Sequence, residues 1–144
     1  VDNVVFEKLG GFPEHVLVNE DMLFCARLLK AGWRVAYQAE SRVSHWHAYT
    51  LPVLFQRYFA IGVFFSQAAD EVQSAGLNRK GASYAVGEIR CMLRRGAWFQ
   101  VFSSLLSSAA KFAGYQLGLR YKFFPTSLNR VWSRHPDYWG KGLP

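Results

Sequence analysis

Residues 18–35 read VNEDMLFCARLLKAGWRV, and the organisation of the chain follows from how this stretch folds. Asn19 is a good helix N-cap, Phe24, Cys25, Leu28 and Leu29 recur at helical spacing, and Ala31-Gly32 supplies a stop. The pattern predicts a helix that opens with two adjacent carboxylates, Glu20 and Asp21, in its first turn. Acids at a helix start complement the partial positive charge of the exposed backbone N–H groups and need no other purpose. They also stand at a loop-to-helix junction, where side chains can reach into a cleft.

Upstream, Asp2 or Asn3 can cap a short helix with Phe6 and Leu9 on one face, and Gly10-Gly11 ends it. Phe12-Pro13-Glu14 then reads as a turn. Downstream, residues 33–38 (WRVAYQ) and 42–47 (RVSHWH) both alternate and are separated by AES, which predicts two short strands. On the second strand His45 and His47 fall on one side and Trp46 on the other.

From Leu51 the period becomes helical, with Leu51, Leu54, Phe55, Tyr58, Phe59 and Gly62 on one side through about residue 73 and Gly76 as a stop. Residues 82–95 form a further expected helix, and 97 to about 119 another, before Pro125 breaks the pattern. In the latter, Gln100, Ser103, Ser104, Ser107, Ser108 and Lys111 make a narrow polar stripe on a mostly apolar helix.

A chain of 144 residues that is 51% hydrophobic can bury a core and does not read as disordered. It begins at Val1 and enters helical pattern at once, which we read as an excised C-terminal segment. The net charge of +7 is unevenly placed: residues 1–50 hold six acids against five bases, and residues 51–144 four acids against twelve bases. Such a basic, aromatic-rich region suits nucleic acid, an anionic membrane surface or a phosphorylated substrate. No nucleic-acid motif appears and the bases are dispersed, so a nucleic-acid partner is not expected. Cys25 and Cys91 have no metal or redox spacing and read as two small buried thiols. The uncharged run between Arg95 and Lys111 is 15 residues, short of the roughly 18 to 20 that span a bilayer, and no transmembrane helix is expected.

The order of these features resembles the C-terminal half of the catalytic domain of family 2 glycosyltransferases of the GT-A fold. The matching residues are Gly10 to Glu14, Glu20-Asp21, Arg27-Leu28 with Ala31-Gly32-Trp33, and Val43-Ser44-His45. The continuation HWHAYT from His45 to Thr50 and RYFAIG from Arg57 to Gly62 resembles the bacterial rhamnosyltransferase-like branch. So do GYQLGLRYKFFP from Gly114 to Pro125 and SRHPDYW from Ser133 to Trp139.

The resemblance implies an α+β, predominantly helical chain. Residues 1–50 would be the C-terminal half of a GT-A catalytic domain with short strands, and residues 51–144 a basic, aromatic-rich helical extension. It implies Asp21 as the base of an inverting sugar transfer, with Glu20 orienting the acceptor or raising the proton affinity of Asp21 by repulsion. Gly10 and Gly11 would let backbone approach the sugar, Trp33 would stack on it, and Arg57 would reach a diphosphate. Taken by their residue types alone, at least one of the glycines reads as a helix C-cap, Trp33 reads more readily as a core residue, and Arg57 reads equally as a solvated arginine.

His45, with His47 as second choice, would help to hold a Mg²⁺ or Mn²⁺ ion. The rest of the metal site and the nucleotide-binding half, with its Asp-x-Asp, would lie upstream, since no Asp-x-Asp occurs here. The implied partners are a dTDP- or UDP-sugar donor and a lipid-linked or polysaccharide acceptor at the cytoplasmic, inner face of the cell membrane. The competing expectation is a non-catalytic basic helical module that binds an anionic membrane surface.

Overall fold

The computed structural model describes residues 2–44, 49–74, 91 and 98–140. The helices are α1 (Asn3–Lys8), α2 (Glu20–Lys30), α3 (Leu51–Ser74), α4 (Trp98–Leu119) and α5 (Thr126–Trp132), with 3-10 turns at Tyr121–Phe123 and Pro136–Gly140. The long α3 is the centre: α2 and α4 both pack on it, and α5 touches it near its start.

Of the two caps expected for α1, Asp2 is the one used, its Oδ1 accepting from the Val4 N–H at 2.8 Å. The end of α1 is a Schellman closure. The Gly10 N–H donates to the Glu7 carbonyl and the Gly11 N–H to the Phe6 carbonyl, with φ of 80° and 67° at the two glycines. The Phe6, Phe12 and Phe24 rings then meet with centroids 5.1 to 5.4 Å apart, and this fixes the turn against α2.

Helix α2 begins and ends where its sequence indicates, but Asn19 caps it differently from expectation. Its side chain makes no capping bond. Its backbone is left-handed, with φ 61° and ψ 33°, and its carbonyl accepts the first helical N–H, from Leu23 at 3.1 Å. Asparagine is one of the few residues with a side chain that enters this region at low cost. The kink brings the chain abruptly from the buried Leu17 into the first turn of α2.

The core has two parts on α3. Leu23 of α2 packs with Phe64, Ala68 and Val72, while Leu17 packs with Phe59, Ala60, Val63, Tyr121 and Trp139; Val18 lies against both. On its other side α3 meets α4 through glycines. A Cβ at Gly62 would lie 2.9 Å from the Gly118 Cα, and one at Gly114 would lie 3.1 Å from the Phe59 nitrogen. Only glycine fits at these positions, so the two backbones touch.

The strand expectation is corrected. Among the described residues there is no strand: 33–38 and 41–44 are irregular chain, turned at Gln38 to Ser41. Alternation specifies a strand only where a neighbouring strand or core takes one face, and here Tyr37 is 92% and Val43 90% exposed. The last three residues of the second expected strand, and most of the helix expected over 82–95, lie outside the described residues.

The buried-thiol expectation is also corrected. Cys25 is half-buried and Cys91, which is helical, is exposed. Cys25 sits at the edge of the α2 face whose centre is held by Phe24 and Leu28. No helix among the described residues is long and apolar enough to cross a membrane.

Candidate functional site

A cavity of about 380 Å³ opens where three distant parts of the chain converge. The loop and first turn of α2 contribute Leu17, Val18, Asn19, Glu20 and Asp21. The first half of α3 contributes Gln56, Arg57, Ala60 and Ile61, and the turn after α5 contributes Arg134 and His135. Gln56 and Arg57 precede Ala60 and Ile61 by one helical turn, so all four share the face of α3 that looks toward α2. Leu17 and Ala60 are buried and form the floor; the charged groups stand around the mouth.

Each charged group is held by a local device. Asp21 Oδ1 accepts from the Met22 N–H at 2.8 Å, which steadies the carboxylate at the helix start. Arg57 donates from Nη1 to the Tyr49 hydroxyl at 2.9 Å, and its guanidinium lies 5.5 Å from the centre of the Tyr49 ring. The buried Ser133 hydroxyl accepts from the His135 N–H at 3.1 Å, and His135 accepts from the Tyr138 N–H at 3.2 Å; this double turn sets Arg134 and His135.

The tail is strapped to the loop that leads into α2. The Tyr138 hydroxyl donates to the His15 carbonyl at 3.0 Å, across 123 residues of sequence. Gln67 donates to the Tyr138 and Tyr121 hydroxyls at 3.1 and 3.2 Å. Burial raises the Tyr138 phenol above its ordinary range; the Gln67 hydrogen bond opposes this and the neighbouring Tyr121 adds to it. The strap therefore keeps its proton in neutral and moderately alkaline solution. Asn129 of α5, itself buried, donates to the Tyr121 carbonyl at 3.0 Å and fixes α5 on the same scaffold.

Of the residues singled out by sequence, the fold brings Glu20, Asp21 and Arg57 together in this cavity. Gly10 and Gly11 close α1 and do not line it, and Trp33, 52% exposed, follows α2 at the opposite end from Asp21. His45 and His47 lie outside the described residues. Among the described residues no three His, Cys, Asp or Glu side chains gather as metal ligands would.

Sequence reading missed Arg134 and His135. They stood inside the SRHPDYW stretch, but no spacing rule says that residue 134 folds back onto residue 21.

Among the described residues none of Glu20, Asp21, Arg57, Arg134 and His135 forms an ion pair, although all five line one cavity; the ion pair that forms is Arg27 with Glu71, 2.9 Å apart along the α2–α3 contact. Acids and bases that share a cavity without neutralising each other leave both sets of charge available to a ligand. Such a cavity can take a proton from a hydroxyl at the carboxylates and hold an anionic group at the cations.

A second groove, of about 440 Å³, is lined by Tyr49, Leu54 and Phe99 together with Gln100, Ser103, Ser104, Ser107 and Lys111 of the polar stripe. The stripe is turned partly inward, with Ser104, Ser107, Ser108 and Lys111 half-buried, while Trp98, Phe102, Leu105 and Phe112 face outward.

The chain is 41% identical over 136 residues to the O-antigen chain rhamnosyltransferase WbaN of Salmonella anatum, a match that covers 94% of the chain and 43% of that relative. It is 41% identical over 137 residues to the O-antigen chain rhamnosyltransferase RfbN of Salmonella typhimurium strain LT2, again 94% of the chain and 43% of the relative. The chain thus spans less than half the length of these curated relatives. No family model matches it, and no solved structure matches it.

Proposed function

We propose that this relative of O-antigen rhamnosyltransferases contributes the acid-lined part of a glycosyltransferase site, of family 2 and GT-A type. It serves to move a sugar, rhamnose in the first instance, from a dTDP- or UDP-linked donor to a lipid-linked or polysaccharide acceptor. The observation that carries this reading is the placement of Asp21 and Glu20 in a cavity whose cations leave them unpaired. In an inverting transfer the acceptor hydroxyl attacks the anomeric carbon, its proton passes to the Asp21 carboxylate, and the bond to the nucleoside diphosphate breaks with the electron pair leaving on the phosphate oxygen. Glu20, the adjacent residue, orients the acceptor.

The described residues do not by themselves compose a site for Mg²⁺ or Mn²⁺. The metal rests on His45 or His47 together with groups from the remaining length of a relative-sized protein, and no step here passes through it. Residues 1–50 belong on this reading to the catalytic domain and 51–144 to an extension against the cytoplasmic face of the membrane. The outward Trp98, Phe102, Leu105 and Phe112 of α4 support that placement.

The experiment is a chimera in which this chain replaces the matching segment of the Salmonella typhimurium relative, in cells that lack the original. It is expected to restore O-antigen. Asp21→Asn in the chimera is expected to lower transfer by about 10² to 10⁴-fold with little change in donor affinity. A folded chimera that restores nothing rejects the shared function, and near-normal turnover of Asp21→Asn rejects the base.

A further inference from the structure

The two carboxylates of the cavity stand at the end of a loop that belongs to no helix, from Phe12 to Val18. Among the described residues one hydrogen bond ties this loop to a distant part of the chain: the Tyr138 hydroxyl donates to the His15 carbonyl at 3.0 Å. That hydroxyl is aimed from behind, because it accepts from Gln67 of α3 at 3.1 Å while it donates forward. The next residue, Trp139, is buried in one cluster with Leu17, Phe59 and Ala60. Consecutive residues of the tail thus hold the loop twice, Tyr138 at its backbone and Trp139 at the Leu17 side chain.

Asn19 follows four residues after His15, and its left-handed kink passes the position of the loop directly to Glu20 and Asp21. Leu23 and the Arg27–Glu71 pair hold the body and far end of α2 on α3. The Met22 N–H fixes the Asp21 carboxylate relative to α2 and to nothing across the cavity. What remains to be fixed is the first turn, and the strap acts there. The same tail brings Arg134 and His135 to the cavity.

From this arrangement we infer that Tyr138 is a positioning residue: by holding the loop at His15, its hydroxyl sets where the Asp21 carboxylate stands in the cavity. The inference rests on the glycosyl-transfer reading for what Asp21 does once in place, and on the fold alone for the placement. A reacting group displaced by about 1 Å costs on the order of 10²-fold in rate, so partial loosening of the loop is enough to be read in turnover.

The test has two readouts. Tyr138→Phe removes the hydroxyl and keeps the ring against Trp139. In hydrogen exchange on the chain, this variant is expected to speed exchange several-fold at Leu23, whose N–H closes the first turn of α2 on Asn19, and to leave the α3–α4 crossing unchanged. In the chimera described above it is expected to lower kcat about tenfold with donor KM within about twofold. Tyr121→Phe removes the other hydroxyl bonded by Gln67, leaves the His15 bond in place, and is expected to keep kcat within about twofold. A merely structural loss lowers turnover by the same factor in any background. Positioning acts through Asp21, so the kcat effect of Tyr138→Phe is expected to vanish in Asp21→Asn. Should Tyr138→Phe fail to fold, Gln67→Ala keeps the tyrosine and frees its hydroxyl, and a several-fold loss of kcat is still expected.

Unchanged exchange at Leu23 overturns the proposal. So does an equal fold-loss of kcat in the parent and Asp21→Asn backgrounds, or a loss in Tyr121→Phe equal to that in Tyr138→Phe. Faster exchange at Leu23 together with near-normal turnover of Asp21→Asn supports the placement and rejects the base instead, so the two readings fail separately.

Discussion

On the side of α3 that meets α2, large side chains fill the space: Leu23 against Phe64, Ala68 and Val72, all buried. On the side that meets α4, the space is closed by taking side chains away, with Gly62 against Gly118 and Gly114 against the backbone of Phe55 and Phe59, until backbone meets backbone. The first contact gains from water leaving apolar surface and tolerates a change of shape. The second gains from close van der Waals approach and tolerates none. One helix thus has a neighbour joined by side chains that carries the carboxylates and a neighbour joined by backbone that carries none of the cavity lining.

Substitutions at four positions probe this contrast, from the largest expected effect to the smallest. Phe64→Ala empties the α2 side and is expected to cost about 3 to 5 kcal/mol, read by denaturant unfolding, with the α3–α4 crossing intact. Gly118→Ala places a Cβ 2.9 Å from the Gly62 Cα and 3.0 Å from the Phe59 carbonyl carbon, and is expected to cost about 1 to 3 kcal/mol by prising the helices apart. A neutral or stabilising Gly118→Ala would mean that the crossing is looser than described.

Tyr138→Phe removes the strap to His15 and is expected to cost about 1 kcal/mol at neutral pH. Its effect has a pH signature. Burial raises the native phenol above its ordinary value of 10.0, so the unfolded chain loses this proton first. The contribution is full below pH 10.0 and is lost as pH climbs through the native value; the variant should show a shallower alkaline limb than the parent. Asn19→Gly keeps the left-handed φ of 61° and is expected to change stability by only a few tenths of a kcal/mol, whereas Asn19→Ala must enter that region with a Cβ and is expected to lose about 1 kcal/mol. Equal melting of the two variants would remove the kink from the account of how α2 starts.

The local features of this fold were legible in the sequence because they are set within a few residues. Glu20 and Asp21 at a helix start, the stop at Ala31-Gly32, the span of α3 and the bounds of α4 all follow from spacing and caps. The expected strands fail among the described residues because alternation names a face without naming a partner, and residues 33–38 have none there. The convergence of the cations on the cavity was illegible for a related reason. Arg134 comes to the same cavity as Asp21 through the Tyr138 strap, the Tyr121 turn and the α3 core, a chain of contacts in which each link is non-local. The glycines of GYQLG were read as part of a family likeness; their physical role emerges only when the backbone of Phe55, Phe59 and Gly62, more than fifty residues earlier, is seen against them.

That glycine seam has a consequence for the medium the protein can work in. A contact that depends on expelling water weakens when oily molecules replace the water, since the apolar surface no longer has anything to escape from. A contact between bare backbones depends on proximity alone, which is why small residues four apart are also used to join helices within lipid. The crossing of α3 and α4 therefore keeps its grip whether the outward Trp98, Phe102 and Phe112 of α4 face water, detergent or acyl chains. The pair acts as a solvent-indifferent spine, to which the water-dependent α2 and its carboxylates are attached on the far side.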